Sequence, residues 1–391
     1  MTGARHVDVA IVGGRVSGCV LASLLGDAGL TVLVLEREAP GTDTLSTHYT
    51  TGEGMVGMEA DLGVLDEVLA LGTPPLICEY RFYGEDPAPV VIPTHSPGRI
   101  GFALSVRRQP LDAILQARAR RTPGVTLLPR TRVTSLARDG EGRVTGLCAT
   151  TPDGPLEVRA GIVVGADGRH SSVARWVDAA VEREDPATRS LVFRYVRGYR
   201  GPDGRFPDGS EFSLHGDEAL YAFPSDDDTA CVALSVPVAR FDAARGDLDA
   251  LWNERLPRHP GIARRVAATT PAGDGRLRGT RGMPNWVRRA GGPGWALLGD
   301  AGLHLDPWTG RGMDFAATHA RFLARAILAA AAGADQAAEL ARYQADRDAH
   351  ALGTYQFTVE GARDLAPFAR HEPWGIPRLP APPPGRYPTP A

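Results

Sequence analysis

Three stretches of this chain are apolar without alternation, and each runs into a glycine. Val7–Val12 is β-branched and, apart from Asp8, apolar; it ends at Gly13-Gly14-Arg15-Val16-Ser17-Gly18. Ile162–Val164 ends at Gly165-Ala166-Asp167-Gly168-Arg169, and Trp295–Leu298 ends at Gly299-Asp300-Ala301-Gly302. Uninterrupted apolar runs mark strands buried on both faces of a parallel sheet. After the first run, Gly18 to about Ala28 carries Val20, Leu21, Leu24 and Leu25 at helical spacing, and Thr31–Leu35 is again a buried strand, ending in Glu36-Arg37. These pieces form a βαβ unit of about thirty residues.

Helical spacing returns over Arg108–Arg121 (Leu111, Ile114, Leu115), followed by strands over Val125–Leu128 and Arg132–Leu136. Arg143–Ala149 and Leu156–Ala160 read as a hairpin around Asp153-Gly154. Between Arg175 and Ser190 the texture changes. Leu191–Arg200 alternates, as a half-exposed antiparallel strand does, and Glu211–Leu214, Ala219–Phe223 and Thr229–Val236 continue the pattern. Helices are expected over Leu248–Arg255, Gly261–Ala268, about Met313–Ala332 and about Gln336–Ala349. The proline-rich end from Pro377 forms no regular element. The predicted class is α/β: a Rossmann-like nucleotide domain built from residues 1–75, 100–180 and 285–350. Residues 76–99 and 181–284 form an inserted antiparallel-sheet substrate domain, and 351–391 a C-terminal helix and proline-rich tail.

Composition narrows the function classes. The net charge is −3, no basic cluster interleaves with aromatics, and nucleic acid is not an expected partner. All 43 basic residues are arginine, a bias in keeping with the abundance of Ala, Gly and Pro, and it excludes any mechanism that needs a P-loop or Schiff-base lysine. Cysteines 19, 78, 148 and 231 lack metal or redox spacing, and no His/Cys/carboxylate pattern points to a metal. The first strand begins within ten residues, leaving no room for a signal peptide, and the longest apolar stretch, Ala326–Ala332, is too short to span a bilayer. A cytoplasmic enzyme is expected; oligomeric state is not legible.

The first turn has the chemistry of a pyrophosphate site. Gly13 permits a tight turn, Gly18 permits close strand–helix packing, and the N–H groups of Val16 and Ser17 open a helix whose positive end attracts an anion. Arg15 replaces the usual middle glycine and offers a guanidinium. Glu36, at the tip of the second strand, is placed to accept ribose hydroxyls, with Arg37 beside it. A glycine-rich turn without a nucleotide has the same spacing. In the third segment, Pro307 precedes Gly310-Arg311-Gly312-Met313, where a long helix starts, so its positive end faces whatever lies at the turn. Helix–sheet packing alone also uses such glycines.

With these three segments in this order, the chain resembles the group A FAD-dependent monooxygenases, the aromatic hydroxylases of the para-hydroxybenzoate hydroxylase fold. The resemblance covers most of residues 7–350 and implies a Rossmann-like domain of the GR2 type. It implies bound FAD, with NADPH or NADH as transient reductant. It implies oxygen transfer from a flavin C4a-hydroperoxide to an aromatic, polyketide-like or other natural-product small molecule, with O2 consumed. By the same resemblance, Asp167 and Gly168 belong to the second FAD motif, which also helps to place NAD(P)H. Asp300 belongs to the ribityl, Arg108 to the flavin side, and Val133 to the adenine. The loop Asp43–His48, including Thr47, also resembles a sub-branch of flavoprotein oxidoreductases and lies where the family wraps the isoalloxazine edge. Two positions depart from the pattern: Leu303 stands where a histidine is usual, and Asp314 where an asparagine is. A carboxylate at Asp314 near the flavin would raise its electron density.

Catalytic side chains are harder to read. His48 is a candidate acid/base, with Tyr49 and Trp308 as pocket walls or further contributors, while His48 as a mere loop contact is the plainer alternative. Arg194, Tyr221 and Phe223, with Tyr195 and Tyr199, are candidates to line the substrate side, although aromatics at period two are ordinary strand residues. His215, His259, His350 and His371 read as surface or loop positions. A reductase of the geranylgeranyl-reductase type and a flavin-binding accessory protein share these motifs. A halogenase is disfavoured because the chain has no lysine and no Trp-x-Trp-x-Ile-Pro segment.

Overall fold

The computed structural model describes residues 4–46, 48–94, 100–201 and 207–368. In chain order the elements that position the site are β1 (Arg5–Val12), α1 (Val16–Asp27), β2 (Val32–Leu35), α2 (Arg108–Arg121), β3 (Val125–Leu128), β4 (Gly154–Gly165), β5 (Arg189–Arg197), β6 (Gly209–His215), β7 (Glu218–Pro224), β8 (Thr229–Pro237), β9 (Trp295–Leu297), α3 (Gly312–Ala331) and α4 (Gln336–Arg363).

The apolar runs form a parallel sheet in the order β9-β4-β1-β2-β3. One face packs on α1, α2 and α3 through Val9, Ile11, Val34 and Val164; the other buries Ala10, Val12, Leu33 and Val163 beneath the strands around Val144–Thr151. Burial on both faces is why these strands do not alternate. Leu156–Ala160 and Ile162–Val164, expected as two elements, form the single long strand β4. Its first half pairs antiparallel with Val144–Thr151, while β1 runs parallel along it from Val158 to Gly165.

The second sheet contains β5-β8-β7-β6 in antiparallel order. Cys78–Tyr83 joins β6 in parallel and carries Val90–Pro93 at the edge, so the sheet is mixed rather than purely antiparallel. Its alternation does not mean a wet face. Leu191, Phe193 and Tyr195 of β5 join one core; Val192 and Val196 join another, roofed by Leu251, Trp252 and Ile262. Both faces are covered, and the half-exposed expectation for β5 is corrected accordingly. Helix α4 passes the expected stop near Ala349 and continues to Arg363, because Tyr355, Val359 and Ala362 still find buried contacts. No described helix is long and apolar enough to cross a membrane.

Candidate functional site

The three glycine turns meet at the carboxyl ends of β4, β1 and β9, where open α/β sheets bind ligands. Gly13 has φ +105°, and a Cβ there would lie 2.4 Å from the Ala166 carbonyl oxygen, so the first turn rests on the second. Gly299 has φ +61°, and its Cβ would lie 2.4 Å from Ser17 Oγ, so the third rests on the first. A Cβ at Gly18 would lie 1.9 Å from the Gly13 carbonyl oxygen. No side chain caps the N-terminus of α1 or of α3. Two helix ends with uncapped N–H groups, facing a cradle with no space for side chains, fit an anionic dinucleotide such as FAD.

Side chains around the turn are already tied together. Glu36 accepts the Gly14 N–H at Oε2 (2.7 Å) and the Glu38 N–H at Oε1 (2.8 Å). Arg15 donates to Asp112 Oδ2 at 3.0 Å and to the Thr42 carbonyl at 3.2 Å, while Arg108 reaches Asp112 Oδ1 at 3.1 Å. Asp112 is buried between the two guanidiniums. It was missed in the sequence, where Arg108 and Asp112 showed only an ordinary i,i+4 helix pairing. Val133 lies in the strand Arg132–Arg138, just after Thr131, whose N–H meets the Glu36 carbonyl at 2.8 Å. Arg37 points outward to Glu38. Thr47 and His371 lie outside the described residues.

The Asp167 carboxylate accepts from Ser171 Oγ (2.5 Å) and the Ser172 N–H (2.7 Å), so it orders the helix start that follows Gly168. Asp300 lies half-buried in the single turn Gly299–Ala301. After it, Asp306 caps the turn Pro307–Thr309 through the Trp308 N–H, Gly310 is left-handed at φ +68°, and α3 begins behind Arg311, with Met313 in its first turn.

Asp314 does not stand as a free charge before the ring site. Its carboxylate is fully buried and accepts from the N–H groups of Thr51 and Met55, each at 3.0 Å, from Thr51 Oγ1 at 2.8 Å and from Arg311 at 3.3 Å. A Cβ on Gly54 would lie 2.3 Å from this carboxylate. These contacts tie Asp314 into the junction between the start of α3 and the loop 51–55. Behind it lies Glu59, fully buried, with neither carboxyl oxygen bonded among the described residues. Burial first, and the Asp314 charge second, push the Glu59 pKa up to about 8.

Between the turns and the second sheet lies a buried cluster of aromatic side chains. Tyr49 contacts Phe223 at 5.2 Å between ring centres, and Phe212 contacts Tyr221 at 5.8 Å. His48, held at φ +67°, is buried with its ring parallel to Tyr195 and its Nε2 hydrogen-bonded to the Tyr195 hydroxyl. Burial, then Arg108 and Arg107, hold His48 well below the usual imidazole range, so it is neutral. Trp308 stacks on Phe357 at 5.3 Å and donates its indole N–H to the Thr358 carbonyl at 2.7 Å. Arg194 is not in this cluster. One residue out of step with Phe193 and Tyr195, it lies on the other face of the sheet, 5.5 Å over Trp252 and bonded to Asp249. Tyr199 likewise faces Glu211 on that side. His259 and His350 are not surface residues. His259 is buried against Ser213 at 2.8 Å and pushed down to about 3, chiefly by burial. His350 is buried beside His319 and pushed down to about 4 for the same reason.

Away from these rings is an open cleft of about 320 Å³ that sequence reading missed because its residues are far apart in the chain. Arg169, Arg175, Arg281 and Arg288 line it with His170 and Trp286. The Arg288 guanidinium lies 4.6 Å over the Trp286 ring and donates to the Ala301 carbonyl at 2.9 Å, beside the third turn. Among the described residues no group of three or more His, Cys, Asp or Glu is arranged to hold a metal ion.

The FAD binding domain family matches residues 6–358. Ubiquinone hydroxylase UbiL of Rhodospirillum rubrum is 27% identical over 410 aligned residues, covering 95% of this chain and 86% of its own. A digeranylgeranylglycerophospholipid reductase of Methanothermobacter thermautotrophicus is 30% identical, covering 80% of this chain and 76% of its own. The solved structure of the myxobacterial chondrochloren halogenase CndH superimposes with a TM-score of 0.80 at 26% identity, covering 90% of this chain and 82% of that one.

Proposed function

Because the chain belongs to the FAD binding domain family, we propose that this FAD-dependent oxidoreductase is a monooxygenase. It takes electrons from NADPH or NADH and inserts one oxygen atom of O2 into a small aromatic or polyketide-like molecule, by hydroxylation or epoxidation. The observation that carries the reading is the contact of three remote glycine turns beside a buried cluster of aromatic side chains. In it the turn Gly13–Gly18 holds the pyrophosphate, Glu36 the ribose, and Asp300 with the start of α3 the ribityl and flavin edge. Bound FAD supplies electron exchange with a nicotinamide and the activation of oxygen.

The chain's own residues bind, orient and exclude water. The arginine cleft suits the phosphates of NAD(P)H, since guanidinium forks match phosphate oxygens, and Trp286 offers a flat face beside them. The buried aromatic side chains beside the turns would keep water from the reacting atoms on that side. His48, neutral and oriented by Tyr195, is the side chain suited to hold or accept a substrate proton; Tyr49 and Trp308 wall that side. Free cysteines accord with a reducing, cytoplasmic setting.

The FAD-loaded protein is expected to oxidise NAD(P)H in step with O2 and substrate, with label from ¹⁸O2 entering the product. The reductase relatives support one rival, an FAD-dependent alkene reductase. Turnover without oxygen would establish that rival and end the monooxygenase reading.

A further inference from the structure

The start of α3 rests on a short helix that the proposed function leaves unused, Met55–Asp61. Asp314, in the first turn of α3, accepts the Met55 N–H at 3.0 Å and so caps that helix. Arg321, two turns further along α3, bonds Asp61 and the Met58 sulfur, which holds the two helices side by side. Glu59 lies one turn beyond Met55, on the same face of the short helix. Helical side chains lean back toward the N-terminus, so its carboxyl is directed to the turn that Asp314 caps. It is fully buried, and neither oxygen meets a donor among the described residues. Asp314 is the charge that acts on it, and Asp314 itself pairs with Arg311. Around the short helix Arg321 pairs with Asp61, Arg118 with Asp27 and Arg121 with Glu67, while Glu53 is half-buried in the loop ahead of it.

We propose that Glu59 is a proton site coupled to the redox state of bound FAD: it takes one proton from water as negative charge arrives before the start of α3, and gives it back as that charge leaves. This rests on the flavoenzyme reading. An ionised carboxylate at Glu59 has neither water nor a donor to stabilise it, and the Asp314 charge stands beside it. Further negative charge before α3 adds to that repulsion. A unit charge about 10 Å away inside a protein changes a proton affinity about tenfold. In balance, two electrons and one proton pass to the flavin, and a second proton forms an O–H bond on Glu59. Reoxidation breaks that bond and returns the proton to water. Packing gives no reason for the carboxyl, since an amide of equal size would fill the same space with no charge to bury.

The test is stepwise electrochemical reduction of the FAD-loaded protein, reading proton uptake with an indicator dye and the flavin midpoint by absorbance. Burial and the Asp314 charge push Glu59 up to about 8, which sets the pH values to compare. At about pH 8.5 the wild type is expected to take up about half a proton more per flavin than Glu59→Gln, and at about pH 6.5 the same number. The two midpoints are expected to coincide at about pH 6.5. At about pH 9.5 the wild type is harder to reduce by about tenfold in equilibrium constant, about 30 mV for two electrons. Asp314→Asn keeps an acceptor for the Met55 and Thr51 N–H groups and is expected to move the extra uptake to lower pH; it decides the matter if Glu59→Gln takes up no FAD. Equal uptake and equal midpoints at every pH would overturn the proposal, as would an uptake profile unmoved by Asp314→Asn. A midpoint difference of the same size at both ends of the range would also overturn it, since packing alone produces that. Failure of the wild type to bind FAD would instead sink the flavoenzyme reading itself.

Discussion

Glu59 shows how one buried carboxyl sets a pH dependence. Its folded pKa, about 8, lies above the ordinary carboxylate value of 4.5. Below about pH 4.5 both folded and unfolded chains hold the proton. Between there and about 8 only the folded chain does, so stability falls by about 1.4 kcal/mol per pH unit and then levels off. Glu59→Gln is expected to remove that slope: equal to wild type near pH 4.5, more stable by a few kcal/mol near pH 8. Urea unfolding at the two pH values checks it. At the same scale, His48 reads out through Tyr195. Tyr195→Phe removes the partner of Nε2 while keeping the ring. We expect kcat to fall by about tenfold or more with little change in KM for NAD(P)H, and the pH profile of kcat to shift. An unchanged profile would reduce the pair to packing.

Among elements, the contact between the start of α3 and the loop 51–55 decides whether the cofactor side is formed. Asp314 satisfies two backbone N–H groups and a hydroxyl, and pairs with Arg311. Asp314→Ala would leave these donors buried and unpaired, a loss of about 3 kcal/mol or more, seen as a lowered melting temperature and weakened FAD retention. Gly54→Ala is expected to destabilise by about 1–3 kcal/mol, since the added methyl meets the same carboxylate. Elements were legible where burial imposes a period. The apolar runs at Val7–Val12 and Ile162–Val164 announced central strands, and Leu111, Ile114 and Leu115 announced α2. What escaped depended on neighbours remote in sequence. The second face of β5 is dry because helices around Leu251 and Ile262 cover it, and nothing within Leu191–Arg200 records that. The face of Arg194, by contrast, follows from the strand's own alternation, one step out of register with Phe193 and Tyr195.

At the level of the whole molecule, the turns were readable because glycine is demanded where one turn leaves no room for a Cβ on the next, as Gly13 lies on the Ala166 backbone and Gly299 on the Ser17 side chain. The arginine cleft was not, because Arg169, Arg281 and Arg288 are ordinary surface-type residues until folding gathers them. Its role has its own test. Arg288→Ala with Arg281→Ala is expected to raise KM for NAD(P)H about tenfold or more with little effect on kcat, and to weaken the dependence of that KM on salt. The aromatic cluster is covered in part by the last described helix. A Cβ on Gly361 would lie 2.1 Å from Trp308 Cζ2, and the indole hydrogen ends on the Thr358 carbonyl. Trp308 is therefore covered by the C-terminal part of α4. Shortening the chain to before Thr358 should leave a yellow protein that spends reductant without oxidising its guest, and releases hydrogen peroxide instead.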